Sequence, residues 1–143
     1  MNIDIDNLHS EMKLEVTNPG STEEEVNHLI SHFNAISIPV EYIKFISKIS
    51  DAEILINNES YIRIWGGRGC IEMNDSYNIQ KYIPGALAIG DDEGGEVIFY
   101  AQGNHGYGLY LVGFGNLNVN DAIFISDSLK SLLIRGQGID VLI

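Results

Sequence analysis

Residues 84–100, with the sequence PGALAIGDDEGGEVIFY, are the stretch that decides the fold of this chain. An apolar run ends at Gly90, and three acids, two glycines and a fourth acid separate it from a second apolar run. The acidic centre has two competing interpretations. It is either a loop that binds a metal ion or a phosphate group, or a turn between two strands.

The spacing and the charge of the acids favour the turn. An EF-hand calcium loop has acids at alternate positions and a distant glutamate, whereas Asp91, Asp92 and Glu93 are consecutive. A Walker-type phosphate loop requires a lysine, which this stretch lacks, and its negative charge would repel phosphate. The two glycines that follow supply backbone angles that other residues avoid in tight turns. We therefore predict a turn between strands at residues 86–89 and 96–101.

A third strand follows the second apolar run. The glycine-rich segment QGNHGYG separates EVIFY from LYLVGF, and we expect it to be a hairpin loop leading into a strand at residues 108–114. Successive side chains of a strand point to opposite faces, so both faces of these strands are apolar. Such strands are either covered on both faces or leave one face for a partner. We favour a sheet that is covered on both faces.

Two helices are predicted before the strands. The first spans residues 21–34, with Ser21 or Thr22 as its cap and three glutamates at the positive end of the helix dipole. The second spans residues 38–50 and begins near Pro39, whose missing N–H costs nothing at that position. The expected buried face of the first helix contains Val26, Leu29, Ile30 and Phe33.

The rest of the chain completes a predicted α+β domain. The remaining expected elements are a strand at 14–20, a hairpin with strands at 52–57 and 61–66, a loop at 66–70, a strand at 71–73, a helix at 74–82 capped by Asn74 or Asp75, and a helix at 126–136 capped by Ser126 or Asp127. No linker, repeat or change of composition divides the chain. We predict one domain over residues 1–143, with a central, mostly antiparallel sheet packed by helices.

The charge of the chain restricts its partners. Twenty acids oppose eight bases, which gives a formal net charge of -12. This charge argues against binding to nucleic acids and to anionic membranes, because lysine and arginine supply most of the affinity for phosphates. No apolar run is long enough to cross a bilayer, and the first residues do not resemble a signal peptide. A single cysteine allows no intrachain disulfide, so we expect a cytoplasmic protein.

Two groups of residues were considered for chemistry. His28 and His32 have the spacing of zinc ligands, but Leu29 stands where a zinc protease motif has its glutamate, and both histidines are expected on the solvent face. Cys70 and His105 are the raw material of a cysteine nucleophile, but no surrounding motif supports one. We predict no catalytic residue, cofactor or metal site.

The order of the motifs resembles that of the SMI1/KNR4 family, also called the SUKH superfamily. A helix that begins IPVEYIKFI is followed by YIRIW, YIPGALAIGDDEGGEVIFY and GLYLVGFGNLN, and the chain closes with DAIFISDSLKSLLIRGQG. Members of the family show a similar acidic glycine turn after a proline, and a similar closing helix. The resemblance covers residues 21–136, although the turn here has Glu93 where a run of three glycines is usual.

The resemblance implies a binding protein rather than an enzyme. Bacterial members are commonly cytoplasmic immunity proteins that bind a toxin domain, often a nuclease, and fungal members are regulatory scaffolds. We therefore expect a module that binds a basic toxin; a general scaffold that binds through an apolar sheet face is the alternative, and a small hydrolase is a third. The expected contact residues are acids and tyrosines near the hairpin loops: Asp75, Tyr77, Asp91, Asp92, Glu93, Glu96 and Tyr107.

Overall fold

The strands form one antiparallel sheet in which every strand pairs with the next one along the chain. A computed structural model describes residues 3–143 and contains seven strands within them. The strands are β1 (Met12–Pro19), β2 (Ile49–Ile56), β3 (Ser60–Ile64), β4 (Leu87–Asp91), β5 (Glu96–Gly103), β6 (Gly106–Gly113) and β7 (Ile123–Ser126). The predicted α+β fold with an antiparallel sheet is confirmed.

Six α-helices interrupt or flank this sheet within residues 3–143. They are α1 (Glu23–His32), α2 (Val40–Lys48), α3 (Gly67–Ser76), α4 (Ile79–Tyr82), α5 (Leu129–Arg135) and α6 (Ile139–Leu142). A short 3-10 turn, Val119–Asp121, precedes β7. The β7 strand has no counterpart among the elements predicted from the sequence.

The hairpin turns follow from the residues that form them. Asn57 and Asn58 both have positive φ, 54° and 56°, as the two central residues of a type I′ turn require. The Glu59 N–H closes this turn by donating to the Ile56 carbonyl oxygen at 3.0 Å within the three-residue loop. The β5–β6 hairpin is paired without interruption from Glu96 opposite Gly113 to Gly103 opposite Gly106. These tight connections make the central strands neighbours in space as well as in sequence.

The caps of the predicted helices are partly as expected. Thr22 caps α1 through a reciprocal pair of hydrogen bonds with Glu25, as predicted for one of two candidates. Ser128, rather than Ser126 or Asp127, caps α5 by accepting a hydrogen bond from the Ser131 N–H. Ile30 was expected on the buried face of α1, but its side chain is 45% exposed.

The predicted loop at 66–70 and strand at 71–73 are wrong, because helix α3 occupies both. Three glycines lower the helix propensity of this segment. The helix forms because Cys70 and Asn74, one turn apart, are both fully buried and both hydrogen-bond to β4. The predicted single helix at 74–82 is also wrong, because α3 ends at Ser76 and α4 begins after Asn78, whose φ is 53°.

Both faces of the central strand β5 are covered. Its residues Val97 to Ala101 are at most 3% exposed. On one face the Tyr100 hydroxyl reaches Glu41 of α2. On the other face Phe99 is 1% exposed and stacks on its cross-strand neighbour Tyr110, which in turn meets its own neighbour Phe124 edge to face. The covered sheet favoured from the sequence is therefore found, and one continuous core runs through the described residues.

Candidate functional site

The acidic turn between β4 and β5 is held by its own carboxylates. Asp91 accepts hydrogen bonds from the Trp65 indole N–H (2.9 Å) and the Glu93 N–H (2.8 Å). Asp92 Oδ1 accepts from the backbone N–H groups of Gly94 and Glu96, both at 2.9 Å. Two of the four acids are thus used to build the turn, as aspartates commonly are.

The backbone of the turn differs from the expectation in one detail. Gly95 has φ 99°, as a turn glycine should, but the second residue with positive φ is Glu93 (58°) rather than Gly94. Gly90 serves a different purpose, since a Cβ there would lie 2.2 Å from the Arg63 carbonyl oxygen of β3. The glycine before the acids therefore lets two strands approach closely.

The other two acids of the turn lie at its edge. Glu93 Oε1 is 3.8 Å from Arg63, which also pairs with Glu53 at 3.4 Å. Desolvation, followed by the neighbouring Glu53, raises the pKa of Glu93. Desolvation and then Asp92 raise the pKa of Glu96. This end of the hairpin is an anionic cluster with one arginine as its counter-ion.

Asp75 lies in a different place, on α3 beside α1. Its Oδ2 is 2.9 Å from His32 Nε2, and its side chain is 52% exposed. Asp75 and His32 line an open cleft of about 390 Å³ together with Phe33, Ile36 and Pro84. We call this the Asp75 cleft.

Tyr107 lines an adjoining cleft of about 400 Å³, walled also by Pro39. The two clefts share Ile36 and Gly85 in their walls, so they lie side by side. The Tyr107 ring stacks on the buried Tyr100 ring at 6.1 Å and is 50% exposed. Burial and then the charge of Glu41 raise the pKa of Tyr107.

Tyr77 lines a third cleft, of about 340 Å³. Its ring packs against Phe114 at 4.3 Å, and Tyr82 forms another wall. Both tyrosines are exposed, by 40% and 54%. Tyr82 is not among the contact residues predicted from the sequence, although its position after a lysine in a polar helix marks it as an exposed aromatic residue.

The predicted contact residues do not form a single patch. Tyr107 of β6 pairs with Gln102 of β5, and Gln102 lies six residues after Glu96 on that strand. The turn acids and Tyr107 are therefore roughly 20 Å apart along the strand. Asp75 and Tyr107 border adjoining clefts, whereas the four turn acids lie at the far end of the hairpin. The seven predicted residues thus lie in three places: the four acids are together in the turn, Asp75 and Tyr107 border adjoining clefts, and Tyr77 lines a third cleft.

The residues considered for chemistry are not assembled. Cys70 is fully buried, and its Sγ–H donates to the Ala88 carbonyl oxygen at 3.3 Å. Burial raises the pKa of its thiol to about 12, which is unsuited to a nucleophile. His105 stacks instead on Phe124. Within residues 3–143 no three His, Cys, Asp or Glu residues are grouped as metal ligands would be.

A buried carboxylate was missed from the sequence. Glu41 is only 7% exposed and accepts hydrogen bonds from the Tyr100 hydroxyl (2.5 Å), the Leu129 N–H (2.7 Å) and the Lys130 N–H (3.2 Å). It therefore satisfies the first N–H groups of α5, which a helix itself leaves unpaired. A signal existed, because Glu41 stands one turn before Phe45 on the apolar face of α2.

Comparison with known proteins adds no assignment. No protein-family model matches the chain, and no curated protein is significantly similar to it. None of the helices described over residues 3–143 is both long and apolar enough to cross a membrane.

Proposed function

We propose that this chain is a cytoplasmic binding protein that neutralises a basic toxin domain, such as a nuclease. The supporting observation is the composition of its clefts. The walls of the three clefts described above contain tyrosines, apolar residues and neutral polar residues. Asp75 and His32 are their only ionisable residues besides the tyrosines, and none has a lysine or an arginine in its wall. On a chain with net charge -12, such surfaces suit a partner that carries the opposite charge.

The resemblance of residues 21–136 to the SMI1/KNR4 family supports the same proposal, since its bacterial members are commonly immunity proteins. Exposed tyrosines are frequent anchors in protein interfaces, because a rigid ring buries much area at a small entropic cost. Tyr77, Tyr82 and Tyr107 are available for this purpose. The scaffold alternative relied on an apolar sheet face, and β5 has no such face exposed.

Co-purification with the product of the neighbouring gene tests the proposal. We expect capture of a basic protein, weaker at high salt because screening reduces attraction between exposed charges. Co-expression should also rescue cell growth from that protein's toxicity. A neighbour that is neither basic nor toxic, together with no capture, would refute the proposal; capture that is insensitive to salt would favour the scaffold.

Charge variants for this test should avoid Asp91 and Asp92. Both carboxylates accept hydrogen bonds within the turn, so their reversal would disturb the fold as well as the surface. Exposed acids without such bonds and outside the first turn of α1, Glu15 and Glu72, change the charge without that effect. Reversal of both should weaken capture while the unfolding midpoint stays unchanged.

A further inference from the structure

The Asp75 cleft has a polar wall whose hydrogen-bonding pattern is fixed by the backbone behind it. The Ala88 N–H can only donate, and it meets Asn74 Oδ1 at 3.0 Å. The Asn74 amide nitrogen consequently faces the carbonyl oxygens of Cys70 and Ala88, at 2.7 and 2.8 Å. The orientation of this buried amide is therefore determined by its partners.

Gln80, which lines the cleft, has its side-chain amide oriented by its partners in the same way. Its Nε2 donates to Asn74 Oδ1 and to the Ala86 carbonyl oxygen, both at 2.9 Å. Both partners accept, so the amide nitrogen is used there and Oε1 is the remaining group. Within residues 3–143 no donor bonds this oxygen, and it is not a buried unsatisfied atom. Gln80 Oε1 is therefore a solvent-accessible hydrogen-bond acceptor whose position is fixed by the two bonds of Nε2.

Asp75 adds a charged acceptor to the same cleft. Its carboxylate is about half exposed and its one protein partner in residues 3–143 is His32. Apart from this histidine, the wall of the cleft contains no basic side chain. The rest of the wall includes the apolar side chains of Phe33, Ile36 and Pro84. The volume, about 390 Å³, lies in the range of sites for small ligands, roughly 300–1,000 Å³.

Acceptors and apolar surface in one cleft match an arginine side chain. Its guanidinium group has five N–H donors in a planar fork and no acceptor, and its methylene stem packs on apolar surface. We propose that the Asp75 cleft receives an arginine of the basic partner, with Asp75 and Gln80 Oε1 accepting from the guanidinium group. This inference rests on the proposed function, since it assigns the partner's anchoring residue.

Titration of the ¹⁵N-labelled chain with N-acetyl-arginine methylamide, followed by NMR, tests the anchor directly. The neutral isostere N-acetyl-citrulline methylamide is the matched ligand control. We expect the arginine compound to shift the signals of Asn34, Ile36, Gln80 and Gly85, and the citrulline compound to leave them in place. Asp75→Asn should weaken binding roughly ten-fold, because it replaces a charge-assisted hydrogen bond by a neutral one.

Glu72→Gln is the matched protein control, since Glu72 is an exposed acid one turn earlier on α3. It should leave binding unchanged. Equal shifts with citrulline, shifts confined to the β4–β5 turn, or equal affinity of the Asp75→Asn chain would each overturn the anchor. The two proposals fail separately: a captured toxin that binds the Asp75→Asn chain as tightly refutes only the anchor, whereas arginine-specific shifts without any toxin capture refute only the proposed function.

Discussion

Replacement of Glu41 tests whether one buried carboxylate joins helix α2 to helix α5. Three donors converge on it, and two of them, the Tyr100 hydroxyl and the Leu129 N–H, are buried. Glu41→Ala leaves both without a partner, and a buried donor without a partner costs about 1–3 kcal/mol. We expect this variant to lose roughly 3–5 kcal/mol of unfolding free energy, a large part of the stability of a typical domain.

Glu41→Gln separates charge from shape. Its carbonyl oxygen can still accept from Tyr100 and Leu129, but its amide N–H₂ group then faces the Lys130 N–H, and the favourable charge at the start of α5 is lost. We expect a cost of about 1–3 kcal/mol, smaller than that of alanine. Combined with Tyr100→Phe, Glu41→Ala should cost less than the sum of the single changes, because both remove the same hydrogen bond.

Urea unfolding, followed by the fluorescence of the single, buried Trp65, measures these differences. Glu72→Gln makes the same chemical change at an exposed site and should stay within about 0.5 kcal/mol of the parent chain. A loss below about 1 kcal/mol for Glu41→Ala would refute the reasoning, since the stranded donors would then have found other partners.

Two further predictions concern the turn and the buried thiol. Gly95→Ala should cost about 1–2 kcal/mol of unfolding free energy, because φ is 99° there, whereas Gly94→Ala, at a residue without positive φ, should be nearly neutral. Thermal unfolding of the two variants measures the difference, and equal losses would contradict the role given to Gly95. Burial raises the pKa of the Cys70 thiol from 9.0 to about 12, so with rising pH the unfolded chain loses this proton before the folded chain does. The contribution of the thiol to the unfolding free energy is therefore complete below pH 9 and falls above it by about 1.4 kcal/mol per pH unit. Urea unfolding between pH 8 and 10 should show this fall in the parent and a shallower one in Cys70→Ser; parallel curves would contradict it.

Local sequence patterns correctly predicted those helices and strands whose caps and apolar residues lie within the element itself. Thr22 and its glutamates begin α1, and the two short apolar runs on either side of the acidic turn form β4 and β5, because capping signals and apolar runs bounded by turn residues both act within a few residues. The prediction that the acids between these runs form a turn between two strands is confirmed, since β4 and β5 pair antiparallel on either side of them. Their use as hydrogen-bond acceptors for Trp65 and the turn backbone was not foreseen, since it depends on β3 lying alongside.

The errors fall where distant contacts outweigh local preference. Helix α3 forms through a glycine-rich segment because Asn74 supplies the hydrogen bonds that Ala88 lacks once β3 has ended at Ile64. A residue 14 positions away decides this helix, and no window of local sequence contains that information. The Asp75 cleft likewise combines residues from α1, α3 and the segment before β4, so the sequence could name Asp75 but not its neighbours.

The order of the strands has a consequence for how the chain folds. Each strand pairs with its predecessor, so the sheet can grow in chain order, by short closures at the hairpins and by longer ones where helices separate β1 from β2 and β3 from β4. The bond from Glu41 to Leu129 spans 88 residues, and its two ends meet only when the strands between them are in place. We therefore infer that this hydrogen bond forms late in folding. In stopped-flow measurements we expect Glu41→Gln to accelerate unfolding and to leave the refolding rate unchanged. Slower refolding would show that the bond forms early.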